Sequence, residues 1–281
     1  MYNLVGIGKA GCNIVDKLGS YGNYNCYFIN KDLKTKKINL CVPDFDNPEE
    51  YEKFSPQKLN NFAKKINGDV TVVLSGDSPV SGITLAFLQK IKALGHSIDV
   101  TYVTPDLGLV NGDKILQERV VRNVLQQYAR SAAIDKIMML SNPSLEEATG
   151  GTTIMSYYND INNIFINTYN MINVFKNSKS ISDTFSKISN ISRIYTIGMF
   201  DVEGGYENLF FPLKEPSEVV YYFGINEEKL NTEKNLFRKI TDFIANKKQI
   251  YEKVSFGIYS TNYEHDVGYM EIFSSKIQNF D

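Results

Sequence analysis

The residues best placed to do chemistry stand near the N-terminus, in the run Gly6-Ile7-Gly8-Lys9-Ala10-Gly11. It follows a short apolar segment and opens a helical pattern. Glycines at this spacing let backbone lie against a phosphate, which the unpaired N–H groups of a helix N-terminus attract. Asp32 lies 21 residues beyond Gly11, where a dinucleotide-binding fold places the carboxylate that holds ribose hydroxyls. Two readings follow: an NAD-dependent oxidoreductase, or a tight strand-to-helix turn whose glycines serve packing alone. The first lacks a residue for proton transfer, since His96 ends a helical pattern beside Gly95 and His265 lies in a charged turn.

The elements that must position these residues alternate. Strands are expected at Tyr2–Gly6, Asn25–Asn30, Asp69–Ser75, Ile98–Thr104 and Lys136–Ser141, with helices at Gly11–Leu18, Ser81–Leu94 and Asp113–Ala132. Serial strand-helix units imply a mostly parallel sheet covered on both faces. Between them, Pro43, Pro48, Pro56 and the acidic run Asp44–Glu52 read as a surface excursion. A long helix is expected over Thr152–Lys176, with Ile154, Tyr158, Ile161, Phe165, Tyr169, Ile172 and Phe175 at three/four spacing; at 1.5 Å per residue it would run about 40 Å. After it come strands near Arg193–Phe200, Val219–Ile225, Val254–Thr261 and Val267–Ser274 around one helix, Thr232–Asn246. The expected organisation is a Rossmann-like α/β domain over 1–151, the long helix over 152–177 as a connecting rod, and a smaller α+β domain over 178–281.

Composition narrows the function classes. The chain has 281 residues, 30 Lys and Arg against 32 Asp and Glu, and 43% hydrophobic residues, an ordinary globular balance. A net charge of -2 gives no footprint for nucleic acid, and Lys34–Lys37 is too short to supply one. No apolar stretch reaches the length of a membrane span, and the N-terminus lacks a cationic leader region, so a cytoplasmic protein is expected. Cys12, Cys26 and Cys41 include no CxxC pair, which argues against a zinc site or a disulfide framework. The 28 Asn without any Trp suggest an AT-rich coding genome, such as a phage or a low-GC bacterium.

The wider pattern resembles the tubulin/FtsZ superfamily. Gly6–Val15 (GIGKAGCNIV), followed by Phe28-Ile29-Asn30-Lys31-Asp32, is similar to the family's opening, where a glycine loop ending in Asn precedes a helix and the next strand ends in Asn-Thr-Asp. Val72–Gly95 resembles its strand, phosphate loop and helix, Asp99–Pro105 its next strand, and Asp135–Pro143 the strand that ends in Ile-Pro-Asn. Tyr157–Ile164 resembles the start of its long central helix, where an aromatic stacks on guanine and an Asn four residues on reads the base edge. Tyr158 and Asn162 match that spacing, and Ile191–Phe200 resembles the opening of its second domain. The match covers almost the whole chain in order. It implies GTP or GDP contacts from Gly8, Gly11, Cys12, Asn13, Asp32, Gly76, Ser78, Ser81, Gly82, Tyr158 and Asn162, with Mg²⁺ bound only alongside nucleotide. The Tyr158–Asn162 pair is physically sensible, because one helical turn places a π-face beside an amide with donor and acceptor. Core packing of Tyr158 with a solvated Asn162 is the alternative, and Asn13 could equally be an ordinary first-turn residue.

The departures are specific. Where the family's phosphate loop is glycine-rich, this chain reads Gly76-Asp77-Ser78-Pro79-Val80-Ser81-Gly82. Pro79 removes a donor, Asp77 adds negative charge, and Val80 replaces a glycine that allowed close approach; Ser78 and Ser81 keep hydroxyls. A metal bridging Asp77 to phosphate could restore affinity. The catalytic acids that the family presents after the central helix align with Ser180, Ser182 and Phe185, while Asp183 reads as a helix N-cap. Asn111 and Ile115 fall where the FtsZ branch has its ribose-binding Glu and Arg. Glu146-Glu147 and Glu227-Glu228 read as helix-start charges, and Glu203 as part of a turn.

The resemblance therefore implies a divergent tubulin/FtsZ-like protein that associates head to tail with itself or joins a larger structural assembly, with hydrolysis lost. An active filament-forming GTPase and, more remotely, the oxidoreductase remain as alternatives. The chain stops soon after its last strand, at Ile277–Asp281, without the tail through which FtsZ engages membrane adaptors, so a cell-division role is not expected.

Overall fold

The computed structural model describes residues 2–33 and 38–279; the basic run Lys34–Lys37 lies outside them. The chain divides into two compact units, Met1–Pro143 and Ser144–Asp281.

In the first unit, β1 (Tyr2–Ile7), β2 (Tyr24–Asn30), β3 (Asn39–Cys41), β4 (Val70–Ser75), β5 (Ile98–Thr104) and β6 (Lys136–Ser141) lie in the order β3-β2-β1-β4-β5-β6. Every pair is parallel. Such a sheet needs both faces covered, which is why its central strands read as continuous apolar runs such as Val70–Leu74. The chain direction from β1 reverses between β1 and β4, so the carboxyl ends of these strands diverge into a crevice, the place where open α/β sheets bind ligands.

Helices α1 (Gly8–Gly19), α2 (Pro48–Glu52), α3 (Pro56–Ala63), α4 (Thr84–Ala93) and α5 (Gly112–Arg130) complete this unit, and α6 (Asn142–Thr149) follows β6 directly. Three sequence expectations change here. The expected surface excursion is structured: Tyr51, Phe54, Leu59 and Phe62 are buried, and Pro48 and Pro56 open helices, where a missing N–H removes no bond. α1 begins at Gly8 rather than Gly11. The helix expected from Ser81 begins at Thr84, preceded by a 3-10 turn over Pro79–Ile83.

The second unit holds α7 (Tyr157–Lys176), β7 (Ser182–Asp183), β8 (Ile194–Phe200), β9 (Glu207–Leu209), β10 (Glu218–Asn226), α8 (Glu227–Thr232), α9 (Leu236–Lys247), β11 (Lys253–Thr261) and β12 (Val267–Ser274). Its sheet runs β8-β12-β10-β11-β7 with β9 beside β8. Only β10 and β11 are parallel, joined through α8 and α9; the other pairs are antiparallel. α7 packs on β8 and β12, and Lys176 Nζ donates to Glu271 Oε1 at 2.7 Å while Tyr222 Oη donates to Oε2 at 2.7 Å. The long helix is shorter than its periodicity suggested, 20 residues or about 30 Å. Gly150 and Gly151 take positive φ, and Ile154, counted in the buried stripe from sequence, is 97% exposed. Asp183 is not a helix cap: it pairs with Gly257 in β7, and its carboxylate accepts from Ser180 Oγ. Among the described residues no helix is long and apolar enough to cross a membrane.

Behind the crevice, α5 carries an ion pair inside the first unit. Arg122 Nε lies 2.8 Å from Glu118 Oε1, with the side chains 3% and 1% exposed, and Tyr102 Oη donates to the Glu118 carbonyl and carboxylate at 3.1 and 3.2 Å. Two buried charges are tolerated only while each neutralises the other. Glu118→Leu alone should cost about 3–5 kcal/mol in urea denaturation, and Glu118→Leu with Arg122→Met should recover most of it. A single-variant loss below about 1 kcal/mol would show that the pair is not an anchor.

Candidate functional site

The glycine turn sits at the carboxyl end of β1. At Gly6 a Cβ would lie 2.7 Å from Cys12 Cα, and at Gly11 it would lie 2.1 Å from the Val73 carbonyl oxygen. These two glycines let α1 settle directly onto β1 and β4. Gly8 serves a different need, since its φ of +71° is a left-handed conformation that side chains resist. The first turn of α1 has no side-chain cap and no acidic residue, so its leading N–H groups and the positive end of its dipole are available to an anion.

The other residues around this turn are placed as follows. The Cys12 thiol is buried and donates to the Gly6 carbonyl at 3.3 Å, with a longer contact to Ile29 O at 3.7 Å; its side chain thus braces the turn. Asn13 is exposed on α1, and Asp32 is exposed in the turn after β2.

The second loop crosses the same crevice from the carboxyl end of β4. Ser78 Oγ lies 3.6 Å from where a Gly8 Cβ would stand, so the two loops are adjacent, as the sequence comparison implied. Several polar groups of the second loop pair within its own chain. Ser75 Oγ donates to Asp77 Oδ1 at 2.6 Å, Ser81 N–H to Ser78 O at 2.9 Å, and Ser81 Oγ to Gly76 O at 3.4 Å. Gln117 Nε2, on α5, donates to Ser78 O at 2.7 Å and Ser81 Oγ at 3.2 Å. Gly76 and Gly82 are packing glycines: a Cβ would lie 2.1 Å from Tyr102 Oη at the first and 2.1 Å from Pro48 O at the second. Gln117 and Tyr102 carried no sequence signal, because the loop residues they meet, Ser78 and Ser81 for the first and Gly76 for the second, lie dozens of residues away; the Glu118–Arg122 pair has a local i,i+4 spacing, but its burial is not written in that spacing.

In the second unit, Tyr158 is the second residue of α7, and its ring is 66% exposed. It meets Tyr157 edge-on at 5.1 Å and takes no part in the core. Asn162 follows one turn later, half-buried.

The two halves of the crevice therefore differ in how they would suit an anion. The glycine turn offers backbone donors and dipole. The second loop has no N–H at Pro79, has used that of Ser81, and presents the Asp77 carboxylate. Among the described residues no cluster of three or more His, Cys, Asp or Glu could hold a metal ion, so a divalent cation here would depend on phosphate oxygens.

Two outcomes test this geometry. Gly11→Ala should destabilise the first unit by about 3 kcal/mol in urea denaturation, because α1 must lift from β4; a change below about 0.5 kcal/mol would contradict the packing role. Burial pushes the Cys12 thiol up to about 12 and the Cys26 thiol up to about 11, with Asp16 adding to both. A thiol raised above its unfolded value of about 8.5 contributes stability that is present below that pH and lost as pH rises towards 12. The urea midpoint should fall between pH 8.5 and 11, less steeply in Cys12→Ala, and iodoacetamide at pH 8 should label exposed Cys41 before either.

No protein-family model matches the chain and no curated protein sequence matches it, whereas solved structures do. TubZ of Bacillus thuringiensis serovar israelensis in GDP-form protofilaments superposes with a TM-score of 0.74 at 16% identity, over 97% of this chain and 86% of that one. CetZ1 of Haloferax volcanii, a GDP-bound monomer, gives 0.72 at 14% over 98% and 94%. An empty FtsZ dimer of M. jannaschii gives 0.71 at 12% over 97% and 87%. Likeness at these identities carries the fold: this chain has the Rossmann-like GTPase fold that FtsZ, TubZ and CetZ share.

Proposed function

We propose that the protein is a tubulin-like assembly subunit, associating head to tail in the cytoplasm, whose contacts do not depend on GTP hydrolysis. The observation that carries this reading is the second loop. Its Ser81 N–H, Ser81 hydroxyl and Asp77 carboxylate already have partners within the chain, so the loop is ordered without a phosphate to order it. The absence of acids at Ser180, Ser182 and Phe185 supports loss of hydrolysis. The protofilament and filament forms of TubZ support self-association, a heterologous contact that extends into filaments when its rotation does not close.

A second reading, an active GTP-binding filament protein, is favoured by the uncapped α1 terminus at the crevice. Under it the contacts are those that the tubulin/FtsZ resemblance implies: Gly8, Gly11, Cys12, Asn13, Asp32, Gly76, Ser78, Ser81 and Gly82 towards phosphate and ribose, and Tyr158 and Asn162 towards guanine.

Calorimetric titration with GTP and Mg²⁺, followed by electron microscopy with and without nucleotide, separates them. Assemblies should form without nucleotide, and phosphate release should stay at background as protein concentration rises. Tight GTP binding with concentration-dependent release would overturn the proposal. If guanine nucleotide binds, Tyr158→Ala should weaken it about tenfold, the worth of one base stack; unchanged affinity would remove Tyr158 from the site.

A further inference from the structure

The first unit contains a groove of about 670 Å³ between α2, the 3-10 turn Pro79–Ile83, α4 and α5. Its α5 wall carries Leu116, Val120 and Val124 at four-residue spacing, with Leu116 58% and Val120 61% exposed. That volume lies in the range of pockets that hold a single small ligand. Two independent observations describe what it would take. Thr84, which lines it, is only 1% exposed, and its hydroxyl has no hydrogen-bond partner. A buried hydroxyl left in this state costs free energy that a ligand acceptor or donor would recover. The groove is also acidic, with Asp46, Glu49, Glu52 and Asp113 against Lys114 alone. Glu49 and Asp113 lie in first helical turns, where negative charge suits the dipole; Asp46 and Glu52 do not.

We propose that this groove binds a small amphiphilic cation, an aryl-alkyl body with a protonated amine towards the carboxylates and a hydrogen-bonding group towards Thr84. The site rests on the groove alone and stands or falls apart from the assembly reading. Its occupant would also bear on the crevice. Pro79, Ser81 and Gly82 line the groove, and Ser81 and Gln117, also in the lining, hold the second loop.

Tyramine, phenethylamine and 3-(4-hydroxyphenyl)propionate, titrated into the full chain and followed by chemical-shift changes, test each part. Tyramine should bind saturably, phenethylamine about five- to tenfold more weakly for want of the hydroxyl, and the propionate not at all. Val120→Trp, at an exposed wall position, should abolish tyramine binding with the urea midpoint unchanged. Thr84→Val should raise the stability of the free protein yet equalise tyramine and phenethylamine. The proposal is overturned if the three probes bind alike, if tyramine binding survives Val120→Trp, if Thr84→Val leaves the tyramine preference intact, or if a lysine-flanked amphipathic peptide saturates the groove while the amines do not.

Discussion

How closely α1 can lie on β4 governs the geometry of the candidate site. At Gly11 any Cβ would overlap the Val73 carbonyl, 2.1 Å away, so the helix meets the strand backbone to backbone. That approach sets where the preceding turn ends and aims the first turn of α1 across the carboxyl ends of β1 and β4. Gly6 makes the same approach from the strand side, and the Cys12 thiol closes the turn onto the Gly6 carbonyl. Three residues that read as ligand chemistry in one dimension, Gly6, Gly11 and Cys12, are thus first of all solutions to a packing problem. The anion-binding character follows from them, since a helix held there has unpaired donors facing the crevice.

The second loop resolves its polar groups in the opposite way. Backbone donors and hydroxyls near a crevice must find partners or water, and here the Ser75 and Ser81 hydroxyls and the Ser81 N–H find the chain itself, while Gln117 donates to Ser78 O and Ser81 Oγ. Behind it, Gly76 rests on Tyr102, which is tied to the Glu118–Arg122 pair. The loop is thereby anchored to α5, one wall of the acidic groove. A loop held by hydrogen bonds within its own chain gains less order from a phosphate than an open one would.

Most of the strands were legible, because a parallel strand buried on both faces is an apolar run of limited length; Ile98–Thr104 and Lys136–Ser141 agree to the residue. Errors gathered where one residue type serves two purposes. Pro48 and Pro56 read as loop formers but open helices, Ile154 fits the apolar period but lies in the turn before α7 begins at Tyr157, and Asp183 had the sequence context of a cap but lies in a strand. In the site, the glycine turn was legible from spacing, and its partner loop only through the resemblance to the tubulin/FtsZ family. Whether a hydroxyl or an N–H remained available was not.

The sequence by itself determined the alternation of strands and helices, the glycine turn, the acid-poor segment after the long helix, and a resemblance spanning the chain in order. These are local or periodic properties, fixed by which side chains can share a face and which backbone angles glycine permits. Only the tertiary structure decided which of the second loop's polar groups were already used, that Gly76 and Gly82 are packing contacts, and that Thr84 stands buried without a partner. Hydrogen bonding is exclusive at short range, and Gln117 comes to its loop partners from 36 and 39 residues away, a proximity that no local pattern encodes.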